Sequence, residues 1–230
     1  MDMEGLMKFL LGVVLSLFMS FSCFAENTVK QVYSSMHQIH MEREDSESYC
    51  TAYATGPHTI ITAEHCIEGS KEAPIFTIDP RSNNPKLAIA GQIIKDGNDH
   101  VIIELQHLNL ETSFSKFDSW IDVSKRNLTI RQGEVVYFFG APDSIGCSNC
   151  FHFGYFSGEG ILETDDPEDD WNVKDHSLLI FIVPVAPGDS GSLMFDKNGN
   201  PVGMVSSGQW GFTGSFKFGF TDEQWKEASK

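Results

Sequence analysis

The chain has 230 residues, and its 32 acidic and 16 basic side chains give a formal net charge of −16 at pH 7. Nucleic acids and anionic membrane surfaces are also negatively charged, so this excess disfavours both as partners. The length allows one domain, or one domain of two lobes, to bury a substantial core.

The first predicted element is an almost wholly apolar run at positions 9–24. A membrane span needs about 20 apolar residues, so this run fits the apolar part of a secretory signal peptide better. We place the cleavage after Ala25, which predicts a signal peptide at 1–25 and an exported mature chain at 26–230 without a stable membrane anchor. Met7, directly before Lys8 and the apolar run, is an alternative initiator to Met1.

Removal of residues 1–25 leaves four cysteines, namely Cys50, Cys66, Cys147 and Cys150. An even number in an exported protein suggests disulfides, although four cysteines allow three pairings and the sequence does not choose among them. Cys147-Ser-Asn-Cys150 is expected to form a small disulfide clamp, since a redox motif of this spacing normally opens a helix in an α/β pattern. We predict no metal and no cofactor.

The mature chain consists of short apolar runs separated by turn residues. The runs are rich in Val, Ile, Phe, Tyr and Thr, and in chain order they read TVKQVYSSMHQIH, CTAYATGPHTIITAEHC, LAIAGQIIK, HVIIEL, EVVYFFGAP, FHFGYFSGEGIL, HSLLIFIVPV, SLMF and PVGMVSSG. Regular strand spacing without helical patterns between the strands indicates an antiparallel sandwich or barrel.

Three further segments carry local signals. Asn-Gly within positions 196–201 predicts a hairpin between two apolar runs. The acidic run at 163–170 predicts an exposed loop, because like charges repel and stay solvated. TDEQWKEASK at the C-terminus is the one predicted helix, with Thr221 as its N-cap.

The segment PGDSGSLMF at 187–195 contains Ser190 in a Gly-Asp-Ser-Gly turn, and a serine needs a neighbouring base to act as a nucleophile. His65, in IITAEHCIEG, lies where a strand turns into a short helical piece. Asp99 precedes the apolar run of HVIIEL, where it could accept the Nδ1 hydrogen of His65 and stabilise the imidazolium. Each residue alone is ambiguous, but their joint occurrence in this order favours a catalytic triad.

These motifs resemble those of the trypsin/chymotrypsin-like serine proteases. TAEHC is similar to Thr-Ala-Ala-His-Cys, NDHVIIEL to Asn-Asp-Ile-Ala-Leu-Leu, and PGDSGS to Gly-Asp-Ser-Gly-Gly. VGMVSSG at 202–208 resembles the strand that pairs with the substrate backbone. The resemblance covers roughly residues 50–221, nearly all of the mature chain.

The resemblance implies an all-β fold of two antiparallel six-stranded barrels, at about 28–121 and 132–221, with a short C-terminal helix. It implies a secreted or periplasmic serine endopeptidase that cleaves polypeptides through an acyl-enzyme. The amides of Gly188 and Ser190 would form the oxyanion hole, and Ser206, Ser207 and Gly208 would hold the substrate backbone. We expect a monomer. The alternative is a catalytically silent binding protein with a protease fold.

The chain departs from the animal members of the family in its N-terminus. No Ile-Val-Gly-Gly precedes the domain, so Asp189 must be satisfied by a basic side chain or by backbone N–H groups rather than by a new terminus. We therefore expect no zymogen switch of the trypsinogen type and place the chain nearer to bacterial, HtrA-type relatives. Ser192 stands where Gly is usual in the family.

The predicted specificity pocket is apolar. Pro184, Val185 and Ala186 occupy the base, where trypsin-like members that prefer Arg or Lys carry an acid. Lys217 and Phe218 are predicted near another wall. Lys217 leaves a weaker alternative, a preference for an acidic residue on the N-terminal side of the cleaved bond.

Overall fold

The computed structural model describes residues 26–42, 46–69, 74–108, 110, 112–161, 177–209 and 212–229. The predicted signal peptide and the acidic run at 163–170 lie outside these residues. No helix in the described ranges is long and apolar enough to cross a membrane.

The N-terminal half forms a closed barrel of six antiparallel strands in the order β1-β2-β3-β6-β5-β4, which closes through pairing of β1 with β4. The β-branched residues of β3 are buried along its whole length, as is expected where a strand lies between neighbours inside a barrel wall. The strands are β1 (Met36–Glu42), β2 (Glu47–Gly56), β3 (Thr59–Ala63), β4 (Ile75–Ile78), β5 (Lys86–Lys95) and β6 (His100–Gln106).

The C-terminal half is a seven-stranded antiparallel sheet in the order β11-β10-β7-β8-β9-β13-β12, one strand more than predicted. The sheet curls so that β11 approaches β13, and the Met204 amide donates to Ser215 Oγ at 2.8 Å. Its strands are β7 (Val135–Gly140), β8 (Cys150–Ile161), β9 (Ser177–Ile182), β10 (Leu193–Asp196), β11 (Pro201–Met204), β12 (Ser207–Gln209) and β13 (Phe212–Phe216). The predicted hairpin joins β10 to β11, with Gly199 at φ 80°.

The two halves together confirm the predicted all-β, chymotrypsin-like fold. One interpretation is corrected: residues 28–34, predicted as the start of the strand-like run at 28–40, lie in a helix, α1 (26–34). Val32 is buried whereas Val29 and Tyr33 are exposed, and Lys30 pairs with Glu26 four residues earlier at 2.6 Å. The β-branched composition was misleading here because only one side of the segment packs on the core.

The C-terminal helix, α2 (Asp222–Ala228), begins at Thr221 as predicted. Thr221 and Gln224 form a reciprocal capping box, which satisfies two free backbone donors of the first turn. Trp225 is buried against Phe218 and Phe220, and this contact attaches the helix to the body of the protein.

Both pairs of neighbouring cysteines are disulfide-bonded. Cys50 in β2 is linked to Cys66, which ends the short 3₁₀ helix Glu64–Cys66, and Cys147 is linked to Cys150. The first bond attaches the segment that carries His65 to the neighbouring strand.

Candidate active site

His65 and Asp99 form a close pair at the end of the closed barrel. The Nδ1 atom of His65 lies 3.0 Å and 2.9 Å from the two carboxylate oxygens of Asp99, and the backbone amide of His65 donates to the same carboxylate at 2.9 Å. Asp99 is buried, whereas about a third of the His65 side chain is exposed (32%). A carboxylate only accepts hydrogen bonds, so Nδ1 carries the hydrogen of the neutral ring and Nε2 is the nitrogen that can accept a proton.

A tight turn between β5 and β6 presents Asp99, whose φ of 63° is uncommon for a residue other than glycine. The carboxylate of Asp96 holds this turn by accepting from the amides of Asn98, His100 and Gly219 and from the His100 ring. Burial raises the pKa of Asp96, but the His100 ring and the backbone donors outweigh it and hold the pKa below its ordinary value.

Ser190 lies on a turn that packs against β2, the strand that contains Cys50. Its carbonyl accepts a hydrogen bond from the Thr51 amide at 2.8 Å, and the next amide, that of Gly191, donates to Val205 at 2.8 Å. Gly191, at φ 84°, has no space for a Cβ because Thr51, Thr62 and Ala63 surround it. The contact brings the serine turn onto the barrel that carries His65 and Asp99.

The Ser190 hydroxyl makes no hydrogen bond within the described residues. In free enzymes the hydrogen bonds of a catalytic group are often long and shorten only when substrate binds. The geometry therefore provides an oriented imidazole and a partly exposed serine. The segments that carry them are both attached to β2.

Thr51 connects the serine turn to both halves, a role that the sequence did not indicate. Its hydroxyl donates to the Gly188 carbonyl at 2.8 Å and accepts from the Ala141 amide at 3.0 Å. A threonine in a β-strand carries no local signal for such a bridge, since the partners are distant in the sequence.

The peptide between Pro187 and Gly188 has a defined orientation. The Pro187 carbonyl accepts from the Asp143 amide at 2.9 Å. In a trans peptide the N–H points opposite to the C=O, so the Gly188 amide faces away from Asp143. Over the ranges that the structure describes, neither this amide nor that of Ser190 donates to another protein group. Two neighbouring free N–H groups suit a developing oxyanion.

Asp189, whose partner was an open question, is fully buried (0% exposed). Its Oδ2 accepts from the Ala186 amide at 2.9 Å, and its Oδ1 lies 3.6 Å from His152 Nε2. Burial raises the pKa of the Asp189 carboxyl, and the Ala186 amide and the His152 ring offset part of this rise. Asp189 thus has both kinds of partner that the sequence predicted, a backbone N–H group and a basic side chain.

Ser192 is fully buried behind the serine turn, and its hydroxyl has no hydrogen-bond partner in the described part of the chain. Its amide donates to the Asp189 carbonyl at 2.9 Å, and its carbonyl accepts from Val205 at 2.8 Å. The backbone of Ser192 therefore holds the turn, while nothing in the structure explains its hydroxyl.

The predicted substrate-binding segments divide into two groups. Pro184–Ala186 and Ser206–Gly208 lie side by side. The evidence is the close approach of Val185 to Gly208, where an added Cβ would collide with the Val185 side chain. Lys217 instead pairs with Glu159 at 2.6 Å, and Phe218 packs on His100 with ring centroids 4.6 Å apart. These partners of Lys217 and Phe218 lie outside the segments around Val185.

Comparisons with known proteins identify the family and the fold of the chain. A family model described as "Trypsin-like peptidase domain" matches residues 50–204, more than half of the chain. No curated protein matches the chain.

Several solved structures have the same fold. The active form of the Rv3671c protease from M. tuberculosis has a TM-score of 0.62 at 18% identity, with 83% of this chain and 78% of that chain covered. The HtrA-type protease AlgW with tripeptide has a TM-score of 0.57 at 17% identity, with 88% and 61% covered. Deg5 has a TM-score of 0.57 at 15% identity, with 84% and 88% covered.

The match to the family model, together with this fold, shows that the chain belongs to the trypsin-like peptidases and is a serine-type peptidase that acts on polypeptides.

Proposed function

We propose that this protein is an exported serine endopeptidase that cleaves peptide bonds through Ser190 as nucleophile, His65 as base and Asp99 as the group that orients the base. The observation that carries the proposal is the pairing of His65 Nδ1 with both carboxylate oxygens of Asp99, at 2.9 and 3.0 Å. That pairing leaves Nε2 as the proton acceptor of the ring.

In the proposed reaction, Ser190 Oγ attacks the substrate carbonyl and its proton passes to His65 Nε2. The amides of Gly188 and Ser190 stabilise the negative charge that develops on the carbonyl oxygen. His65 then gives the proton to the leaving nitrogen as the C–N bond breaks, which produces an ester on Ser190 and a free amine. Water, deprotonated by His65, hydrolyses the ester and restores the hydroxyl.

The position of β12 supports binding of the substrate as an added strand. β12 (Ser207–Gln209) is the last strand of the second sheet, and it pairs only with β13 among the described strands. An unpaired strand edge can accept an extended peptide through main-chain hydrogen bonds. The substrate segment before the cleaved bond would therefore align with Ser206–Gly208.

We further propose a preference for a small apolar residue immediately before the cleaved bond. Val185 lies against the backbone of Gly208, so two walls of the pocket approach each other and leave little depth. Lys217 is neutralised by Glu159 and does not favour an acidic side chain. Cleavage of a peptide library mainly after Arg or Lys would contradict this assignment.

Export is supported by the two disulfides together with the apolar run at 9–24, because stable disulfides are rare in reducing compartments. Detection of the uncleaved N-terminus in the mature protein would contradict removal of residues 1–25.

The decisive experiment compares wild type with Ser190→Ala and with Ser192→Ala as a matched control from the same turn. Ser190→Ala should lower kcat by about 10⁶-fold and abolish labelling by a fluorophosphonate probe. Ser192→Ala should keep both, because its hydroxyl has no partner among the described residues. A wild-type protein that the probe does not label would instead favour a catalytically silent binding protein, and a loss below tenfold in Ser190→Ala would contradict the triad.

A further inference from the structure

Two buried polar atoms without hydrogen-bond partners face each other beneath the serine turn. They are Nε2 of His152 and Oδ1 of Asp189, 3.6 Å apart, and both lack a partner within the described residues. Asp189 is fully buried and only 12% of the His152 side chain is exposed. Unpaired polar atoms at such depth are costly, so their proximity calls for a physical explanation.

The hydrogen-bond chemistry of His152 determines how many protons the pair holds. His152 Nδ1 lies 3.0 Å from the Pro184 carbonyl oxygen, which can only accept, so Nδ1 carries a hydrogen. Without another proton, a bare Nε2 would face a bare carboxylate oxygen. One proton between the two atoms satisfies both, whether it is bonded to the ring or to the carboxyl.

We propose that His152 is a positioning residue that anchors the serine turn through one proton shared between its Nε2 and Asp189 Oδ1. The inference rests on the proposed function of Ser190, because the anchored turn is the one that presents the Gly188 and Ser190 amides. An internal imidazole would thus hold the aspartate that new N-termini hold in the animal enzymes that the sequence resembles.

The surrounding contacts explain why the imidazole controls the turn. His152 binds Pro184 through Nδ1 and faces Asp189 through Nε2, so one ring spans the segment that leads into the turn. Asp189 closes the segment on itself, since its amide donates to Ala186 and its Oδ2 accepts from Ala186. Phe138 fixes the ring plane by stacking on it, with centroids 4.5 Å apart and planes 7° apart.

Two other ionisable groups of the described residues bear on the surroundings of the pair. From β2, the Tyr53 hydroxyl is bonded to the backbone of Phe139, and burial raises its pKa well above the ordinary value, so it stays neutral. Beyond β7, Asp143 is paired with Arg81. Gly140 of β7 is required at its place because a side chain there would collide with the Asp189 carboxyl.

The sign of the pH effect follows from the proton count. Burial raises the pKa of the Asp189 carboxyl above its ordinary value, so the pair loses its proton only at a pH above the one at which a free carboxyl loses its own. Loss of that proton leaves a buried carboxylate opposite a bare nitrogen, and the turn loses its anchor. Turnover should therefore decline on the alkaline side.

The test uses His152→Phe, which retains stacking on Phe138 but has no donor, and His152→Gln, whose amide donates at every pH. His152→Phe should lower kcat by about 100-fold with little change in KM, the size expected when an oxyanion donor is misplaced. His152→Gln should keep kcat within about tenfold of wild type and should lose the alkaline decline. Thermal unfolding of each variant checks that the fold is retained.

Nuclear magnetic resonance tests the shared proton without any measurement of turnover. The ¹⁵N shifts of the His152 ring should show a protonated or hydrogen-bonded Nε2 at neutral pH in wild type and a bare Nε2 in Asp189→Ala, whose side chain can neither donate nor accept a hydrogen bond. Identical shifts in both proteins, or a folded His152→Phe with the wild-type pH profile, would overturn the inference. A wild-type protein that shows the shared proton but no turnover would contradict the proposed function and support the anchor.

Discussion

Gly188 shows how a single residue determines the orientation of the serine turn. Its φ of 104° is rare for any residue with a side chain, and a Cβ there would collide with Ala141 and Asp143. The latter residue is the one that binds the Pro187 carbonyl and so orients the Gly188 amide. The glycine is therefore required by both the conformation and the close approach of the backbone.

Gly188→Ala is expected to displace this peptide and lower kcat by about 100-fold, because one oxyanion donor no longer points into the cleft. The matched control is Gly133→Ala, since Gly133 has a φ of 82° but nothing within 4 Å of its Cβ position. The control should cost only about 1–2 kcal/mol of backbone strain, measured by urea unfolding, and should keep kcat. Equal kcat in the two variants would contradict the assigned role of Gly188.

At the scale of elements, β2 holds together the two segments that carry His65 and Ser190. It carries Cys50, whose disulfide holds the segment of His65, and Thr51, whose backbone and side chain hold the serine turn. The proposed base and nucleophile are thus attached to adjacent residues of one strand, although they lie in different halves of the molecule. The geometry of the site therefore depends on a strand that contributes none of the three side chains of the proposed triad.

The Cys50–Cys66 disulfide closes a loop with a sequence separation of 16, whereas Cys147 and Cys150 are separated by 3. The chain-entropy model then assigns about 3 kcal/mol to the first bond and about 2 kcal/mol to the second. Cys50→Ala/Cys66→Ala should therefore lower the free energy of unfolding more than Cys147→Ala/Cys150→Ala, as urea titration can measure. The first double variant should also lower kcat, because the segment of His65 becomes less constrained. The reverse order of stabilities would contradict this account.

At the scale of the whole molecule, the buried pair of Asp96 and His100 joins the two halves. Asp96 Oδ2 lies 2.6 Å from His100 Nδ1 and accepts from the Gly219 amide at 2.8 Å, while Asn98 binds the Lys217 carbonyl at 3.0 Å. The turn that presents Asp99 is thereby attached to the chain that follows the second sheet. Stability and site geometry are coupled through this junction.

The depressed pKa of Asp96 predicts how this contribution depends on pH. Its folded pKa lies below its unfolded value of about 4, so the stabilisation is present above that pH and is lost as the pH falls through the folded pKa. Asp96→Asn should lower the free energy of unfolding by about 3 kcal/mol at neutral pH, and by less in acid.

The control for this variant is Asp222→Asn, which removes an exposed carboxylate paired with Arg126 at 2.8 Å. It should change stability by no more than about 1 kcal/mol, since an exposed ion pair contributes little. Urea unfolding at a series of pH values measures both effects. The same loss for Asp96→Asn at pH 3 and pH 7 would show that the charge of Asp96 is not involved.

Several features could be predicted from the sequence because their signals are local. The β-rich pattern indicated the fold class, Asn198-Gly199 indicated the hairpin, and Thr221 indicated the start of α2. Local signals failed at residues 28–34, where β-branched residues lie in a helix because tertiary packing outweighed local preference. The second sheet has seven strands where the resemblance implied six.

The amino-acid sequence by itself determined the all-β class and nominated His65, Asp99 and Ser190, because these depend on composition, order and short motifs. Only the tertiary structure decided the partner of Asp189, the bridging role of Thr51 and the pairing of Lys217 with Glu159. Those outcomes depend on contacts between segments far apart in the chain, and side-chain hydrogen bonds across such distances leave no periodic or local trace in the sequence.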